Sequence, residues 1–297
     1  MNRKKKSLML SLCKKQKHIK DKALFTYIDS IEDLSFLNKE LLQKPYVGVD
    51  TEFRRTTKNN MRLALLQVND GEEIYLIDSI KITEPGNHVS FLFSKSVTKI
   101  FHSCKEDLEA IFSWTNQEMV NIFDTQLANS LLDGDFSIGY QGLVEKEIGI
   151  VLNKDETRSN WIRRPLSDSQ LKYAALDVEY LIYIYEAQVK ELKNTTKLEW
   201  LNEEINRLME VTFNPIVHND LERTITKLEE ADLLMRLNKI IERISKREKI
   251  NPTLFFSKKA QKDFLRMVFK DGLELACNQI TCWRSQLIKE DVLHLLK

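Results

Sequence analysis

The chain has 297 residues, 42% of them hydrophobic and 30% charged, with a formal net charge of +1. That length buries a sizeable core and suits two domains, and no apolar run reaches the roughly 20 residues that a membrane-spanning helix needs. The N-terminal RKKKSLMLSLCKKQ has a basic start but too short an apolar core for a secretory signal, so a cytoplasmic monomer with no membrane partner is the expectation.

Charge is not evenly spread. Residues 1–22 hold nine Lys and Arg against Asp21 alone, which leaves the remainder net acidic. Such an arm, taken as residues 1–24, is either a flexible solubilising tail or a contact for phosphates. Cys13, Cys104, Cys277 and Cys282 show neither a CxxC pair nor a zinc spacing and read as reduced thiols.

In chain order, Tyr46-Val47-Gly48-Val49 reads as a buried strand ending in Asp50-Thr51-Glu52-Phe53. Residues 62–68 and 73–79 are strand-like, with the Asn-Asp-Gly turn between them. A further strand over 98–103 leads into a helix from Cys104, and one over 120–125 leads into another. Ser167 opens a capping box with Gln170 and starts a long helical run to about 192. Beyond Asn194 the chain reads as amphipathic helices, interrupted at 214–220 and 251–255. Consecutive strands followed by strand–helix alternation predict a mixed α/β sheet, with a domain boundary near 195.

Asp50 and Glu52 lie two apart on a strand, so their carboxylates share a face and repel. A βα junction delivers Asp107 to the end of the sheet. Tyr173 and Asp177 stand at i and i+4 on one helix face flanked by small residues. Each has an ordinary alternative: a strand-end cap for Asp50, a helix-dipole acid for Asp107, a core-edge aromatic for Tyr173.

DTEF after an apolar strand, FHSCKEDLEAIF, and SNWIRRPLSDSQLKYAALDVEYL together resemble the three exonuclease motifs of the DEDD superfamily. The Tyr-x-x-x-Asp form of the third is similar to the DEDDy branch, and the arrangement resembles ribonuclease D over about residues 25–195. The resemblance implies a ribonuclease H-like mixed sheet flanked by helices over 25–195. It implies an all-α domain of the helicase-and-ribonuclease-D C-terminal type over 196–297, with LEWLNEEINRL and CWRSQLIKEDVLHLL carrying that part. There Cys282 replaces a glycine, and the segment RRTTKNNMRL lacks aromatics that the family places after its first motif.

Carried over to these positions, the resemblance implies that Asp50, Glu52, Asp107 and Asp177 bind two divalent metal ions, Mg²⁺ or Mn²⁺. Tyr173 would orient the attacking water. Hard carboxylate oxygens suit such cations, and two ions about 4 Å apart serve in-line phosphodiester displacement. Candidate substrate contacts are Phe53 against a terminal base, His102 as a sugar or phosphate contact or else a strand cap, and the cluster Trp161, Arg163 and Arg164 along a single strand. The expectation is a 3′→5′ exoribonuclease trimming RNA with a single-stranded 3′ end, transfer-RNA precursors among them, and releasing nucleoside 5′-monophosphates. Alternatives are a DNA exonuclease and a catalytically silent RNA-binding protein on the same fold.

Overall fold

The computed structural model describes residues 25–57, 60–152, 159–214 and 224–296. The basic arm expected over residues 1–24 lies outside them. Six strands, β1 (Thr26–Ile28), β2 (Tyr46–Thr57), β3 (Asn60–Asn69), β4 (Ile74–Ile77), β5 (Thr98–Phe101) and β6 (Ile122–Asp124), form one sheet in the order β1-β4-β3-β2-β5-β6. β2, β3 and β4 run as an antiparallel meander, whereas β1 pairs with β4 and β5 with β2 in parallel. The sheet is mixed, as its chain order predicts. Leu63 to Asn69 of β3 are buried without a break, the pattern of a central strand covered on both faces.

Helices α1 (Ile31–Leu41), α2 (Lys105–Thr115), α3 (Thr125–Leu131), α4 (Tyr140–Ile148), α5 (Asp168–Glu179) and α6 (Leu181–Asn194) accompany the strands, with a 3₁₀ helix at Gly86–Phe93. The rest of the described chain is helical: α7 (Leu198–Phe213), α8 (Lys227–Glu248), α9 (Pro252–Phe255), α10 (Lys258–Asp271), α11 (Leu273–Asn278) and α12 (Cys282–Leu295). No helix among the described residues is long and apolar enough to cross a membrane.

The chain packs as two compact units that do not follow chain order. Of the described residues, one comprises those from 25 to 100 with those in 110–121 and 139–184; the other comprises those in 101–109, 122–138 and 185–296. The sequence boundary near 195 falls inside the second unit.

In the first unit, α5 lies over β2, β3 and β4. Ser167 begins it with the predicted capping box: its side chain accepts the Gln170 N–H at 3.2 Å and its own N–H donates to Gln170 Oε1 at 3.0 Å. The far end is held by Asn69, whose side-chain Nδ2 donates to the Val178 and Glu179 carbonyls at 3.0 and 3.1 Å. These are two of the carbonyls that a helix C-terminus leaves without a partner. At Gly48 the start of α6 comes close to β2. A Cβ there would stand 3.2 Å from that of Leu181, tighter than packed side chains accept.

The strap that leads into α5 uses Trp161 and Arg164, both expected as substrate contacts, to hold the fold. Trp161 is only 5% exposed and sits in a cluster with Leu65, Leu76, Leu166 and Ala174. Arg164 forms a bidentate pair with Asp78, Nε to Oδ2 at 2.7 Å and Nη2 to Oδ1 at 2.6 Å, and also donates to the Ala64 and Trp161 carbonyls. Tyr27 donates to the same Asp78 carboxylate at 2.7 Å. Burial by itself would push the Asp78 acid up, but the Arg164 and Tyr27 hydrogen bonds hold it below the usual carboxylate range. The guanidinium therefore clamps the strap to the sheet.

Arg164→Met should destabilise the protein by about 3–5 kcal/mol, because it strands a fully buried carboxylate. Chemical denaturation checks this, and a change below about 1 kcal/mol would show an exposed pair of surface strength.

Candidate active site

The β2–β3 ladder sets the first two acids. Asp50 lies opposite Gln67 and Glu52 opposite Leu65, with the register unbroken between them, so both carboxylates project from one face. The register shifts only after Glu52, and Phe53 beyond the shift is half-buried. Leu65 and Asn69 lie on that same face of β3. Leu65 packs with Ala174, while Asn69 bonds the end of α5, so this is the face α5 covers.

On α5, Tyr173 and Asp177 stand one turn apart on one face, close enough for the carboxylate's charge to act on the phenol. Burial first, then the charges of Asp177, Glu52 and Asp50, push the Tyr173 hydroxyl above its ordinary range. It is a neutral donor at physiological pH. Burial raises the Asp177 acid to about 7, against a modest opposing effect from Tyr173. Tyr173, Asp177, Asp50 and Glu52 thus share one electrostatic environment within the first unit.

Two further residues belong to this neighbourhood and were not visible in the sequence pattern. The Tyr140 hydroxyl donates to the Leu176 carbonyl at 3.1 Å and accepts the Tyr180 N–H at 3.0 Å, stitching the last turn of α5. Burial, and secondarily the charges of Asp177, Glu179 and Asp50, push its phenol up. Glu179 is itself raised by burial, with the Tyr180 hydrogen bond opposing. Tyr140 opens α4 after Gly139 with nothing in its local sequence to mark a contact 40 residues away.

Asp107 belongs to the second unit. It is 6% exposed in the first turn of α2. The start of that helix is built by Asp124, whose carboxylate accepts N–H bonds from Ser103 (3.2 Å), Cys104 (2.8 Å), Gln126 (2.8 Å) and Leu127 (3.1 Å). Asp124 caps α3 and locks the turn before α2 together, with Ser103 at a positive φ of 63°. The Cys104 thiol beside it is raised by burial, then by Asp124 and Asp107.

His102 uses both ring nitrogens on the protein, Nδ1 with Thr125 Oγ1 at 2.9 Å and Nε2 with the Ile138 carbonyl at 3.0 Å. Arg163 is exposed, unlike its neighbour Arg164.

Among the described residues, no three or more His, Cys, Asp or Glu side chains stand gathered as a ready-made metal-ligand set. The donors nonetheless have the chemistry of a hard-cation site. Asp50, Glu52 and Asp177 supply carboxylate oxygens only, the donors that hard divalent cations favour, and burial raises the Asp177 acid in a protein without the cation. These residues fit a divalent cation.

The 3′-5′ exonuclease family model matches residues 25–193. The chain belongs to the 3′-5′ exonuclease family. It is 37% identical over 191 residues to ribonuclease D of Shewanella sp. (strain ANA-3), covering 64% of this chain and 49% of that one. The chain therefore spans about half the length of the curated relatives it matches. Its fold is similar to the crystal structure of Escherichia coli RNase D, with a TM-score of 0.62 at 24% identity, over 92% of this chain and 74% of that one. It is also similar to Brucella melitensis NrnC with bound Mg²⁺, TM-score 0.56 at 21% identity, over 68% and 98%.

The raised Asp177 sets a pH prediction. Between its unfolded value of 3.8 and about 7 the folded protein keeps a proton that the unfolded chain has released. Stability from this group is therefore present below about pH 4 and lost as pH rises through about 7. In chelator, wild type should lose stability relative to Asp177→Asn across that window, on the order of a few kcal/mol. Parallel pH–stability curves for the two proteins would show an Asp177 with an ordinary pKa.

Proposed function

We propose that this 3′-5′ exonuclease family member is a metal-dependent exoribonuclease that trims RNA from single-stranded 3′ ends, transfer-RNA precursors among them, releasing nucleoside 5′-monophosphates. The observation that carries the reading is the Tyr173–Asp177 pair on the helix face that shares its electrostatic environment with Asp50 and Glu52. The ribonuclease D relative at 37% identity supports RNA as the substrate, and the Mg²⁺-bound Brucella neighbour supports a divalent cation.

Asp50, Glu52, Asp107 and Asp177 would hold two ions, Asp107 on the strength of its motif. Bound there, two divalent cations supply activation of a water and stabilisation of the leaving 3′ oxygen. Asp50, at the end of the buried part of β2, is the carboxylate best placed to serve both ions. Tyr173, neutral and beside Asp177, would orient the water by its hydroxyl without ligating a metal. Phe53 and Arg163, half-buried and exposed, are left to meet the terminal nucleotides. Residues 25–195 would form the nuclease domain and 196–297 the helical RNA-binding domain, the protein acting as a monomer.

Incubation with a 3′-tailed RNA and its DNA counterpart, under Mg²⁺, Mn²⁺ or chelator, tests the reading. RNA shortening from the 3′ end that chelator abolishes is the expected result. Preferential DNA degradation supports the DNA exonuclease instead, and binding without cleavage supports a silent RNA-binding protein.

Variants separate the roles. Asp50→Asn should abolish cleavage while its metal-free stability equals or exceeds wild type, since one member of a repelling set is gone. Tyr173→Phe should lower single-turnover cleavage by orders of magnitude with metal affinity nearly unchanged, and Asp177→Asn should weaken both. Wild-type rates in Tyr173→Phe would make that ring a packing residue only.

A further inference from the structure

Among the described residues, Gln67 is the one on the carboxylate-bearing face whose burial and chemistry the fold does not use. It is 0% exposed at the middle of β3, and neither Oε1 nor Nε2 has a hydrogen-bond partner. Other buried amides are put to work. Asn69 holds the end of α5, Asn38 bonds Ser90 and the Phe91 N–H, and Asn129 bonds the Asp135 carbonyl. A buried amide left with neither donor nor acceptor satisfied opposes folding and calls for a specific reason.

Its position supplies one. In the row across the sheet Gln67 stands between Asp50 on β2 and Leu76 on β4. Directly opposed residues of antiparallel strands share a face with Cβ atoms about 4.5–5.5 Å apart. Along β3 it lies between Leu65, packed with Ala174, and Asn69, bonded to Val178 and Glu179. The amide thus sits beneath the turn of α5 that carries Asp177, beside Asp50, with apolar Leu76 on its other flank.

We propose that Gln67 is a positioning residue of the catalytic centre, whose Nε2 donates to the Asp50 carboxylate when divalent cations draw that carboxylate into place. The proposal rests on the nuclease reading. A ligating carboxylate has an oxygen lone pair left over, and a hydrogen bond to it fixes the rotamer and tunes the ligand. The stability lost to an orphaned amide in the metal-free protein is recovered only in the loaded one.

Three measurements on full-length wild type, Gln67→Met and Gln67→Leu test this: melting temperature in chelator, calorimetric titration with Mn²⁺, and steady-state cleavage of a 3′-tailed RNA. The proposal expects both variants to melt at or above wild type in chelator, because an apolar side chain of similar size replaces an unpaired amide. Mn²⁺ affinity should fall about 10–100-fold, the scale for losing a group that supports a metal ligand. kcat should fall with it, and KM for RNA should stay within about twofold. Two results overturn the proposal: wild-type Mn²⁺ affinity and kcat in Gln67→Met, or a clear drop in the chelator melting temperature of both variants, which would make the amide the partner of a buried structural water. Wild type reports separately on the nuclease itself. If wild type neither binds Mn²⁺ nor shortens RNA, the proposed function fails, and the chelator melting temperatures still say whether the amide is structural.

Discussion

Two half-buried carboxylates on one sheet face, with a third brought over them by a helix, are the constraint on which the rest of the first unit depends. Asp50 and Glu52 project from the same side of β2, and α5 brings Asp177 over that side. Burial raises Asp177 to about 7, so folding works against the charged state that a nuclease needs. Such an arrangement survives only if the surrounding packing is strong enough to impose it. On the proposed function, a bound cation would offset that cost by restoring the charge.

The packing that imposes it is visible at both ends of α5. The Ser167–Gln170 capping box fixes the start, and Arg164, paired with a buried Asp78, pins the strap that precedes it. Asn69 from β3 and the Tyr140 hydroxyl from α4 hold the last carbonyls and the Tyr180 N–H. Tyr173 and Asp177 lie between these anchors, and Trp161 packs at a ring-centroid distance of 6.1 Å from Tyr173. The second unit uses the same kind of device. Lys197, 5% exposed, donates to the Leu131, Glu248 and Lys249 carbonyls, and Glu204 accepts from Arg284, Trp283 and Thr281.

Much of this is legible in the chain. Short apolar runs mark β2 to β6, and the period-2 spacing of Asp50 and Glu52 is enough to put both on one face. The shared face of Tyr173 and Asp177 follows from i, i+4 spacing, and the effect of the Asp177 charge on the Tyr173 hydroxyl agrees with it. The capping box marks the start of α5. What escapes depends on partners distant in sequence. The helical pattern runs through Tyr180 without Gly or Pro, yet the helix breaks there, where Tyr140 takes the Tyr180 N–H. β1 is three residues long, too short to show an alternation. Arg164 beside Trp161 reads in the sequence as a phosphate contact, and its bond to the buried Asp78, 86 residues away, has no local signal.

The central claim is that the face shared by β2 and α5 gathers divalent cations on Asp50. Anomalous scattering from crystals grown with saturating Mn²⁺ tests it most directly. The account predicts two manganese peaks, with Asp50 a ligand to both and Asp177 a ligand to one. Manganese absent from Asp50 at saturation would contradict it.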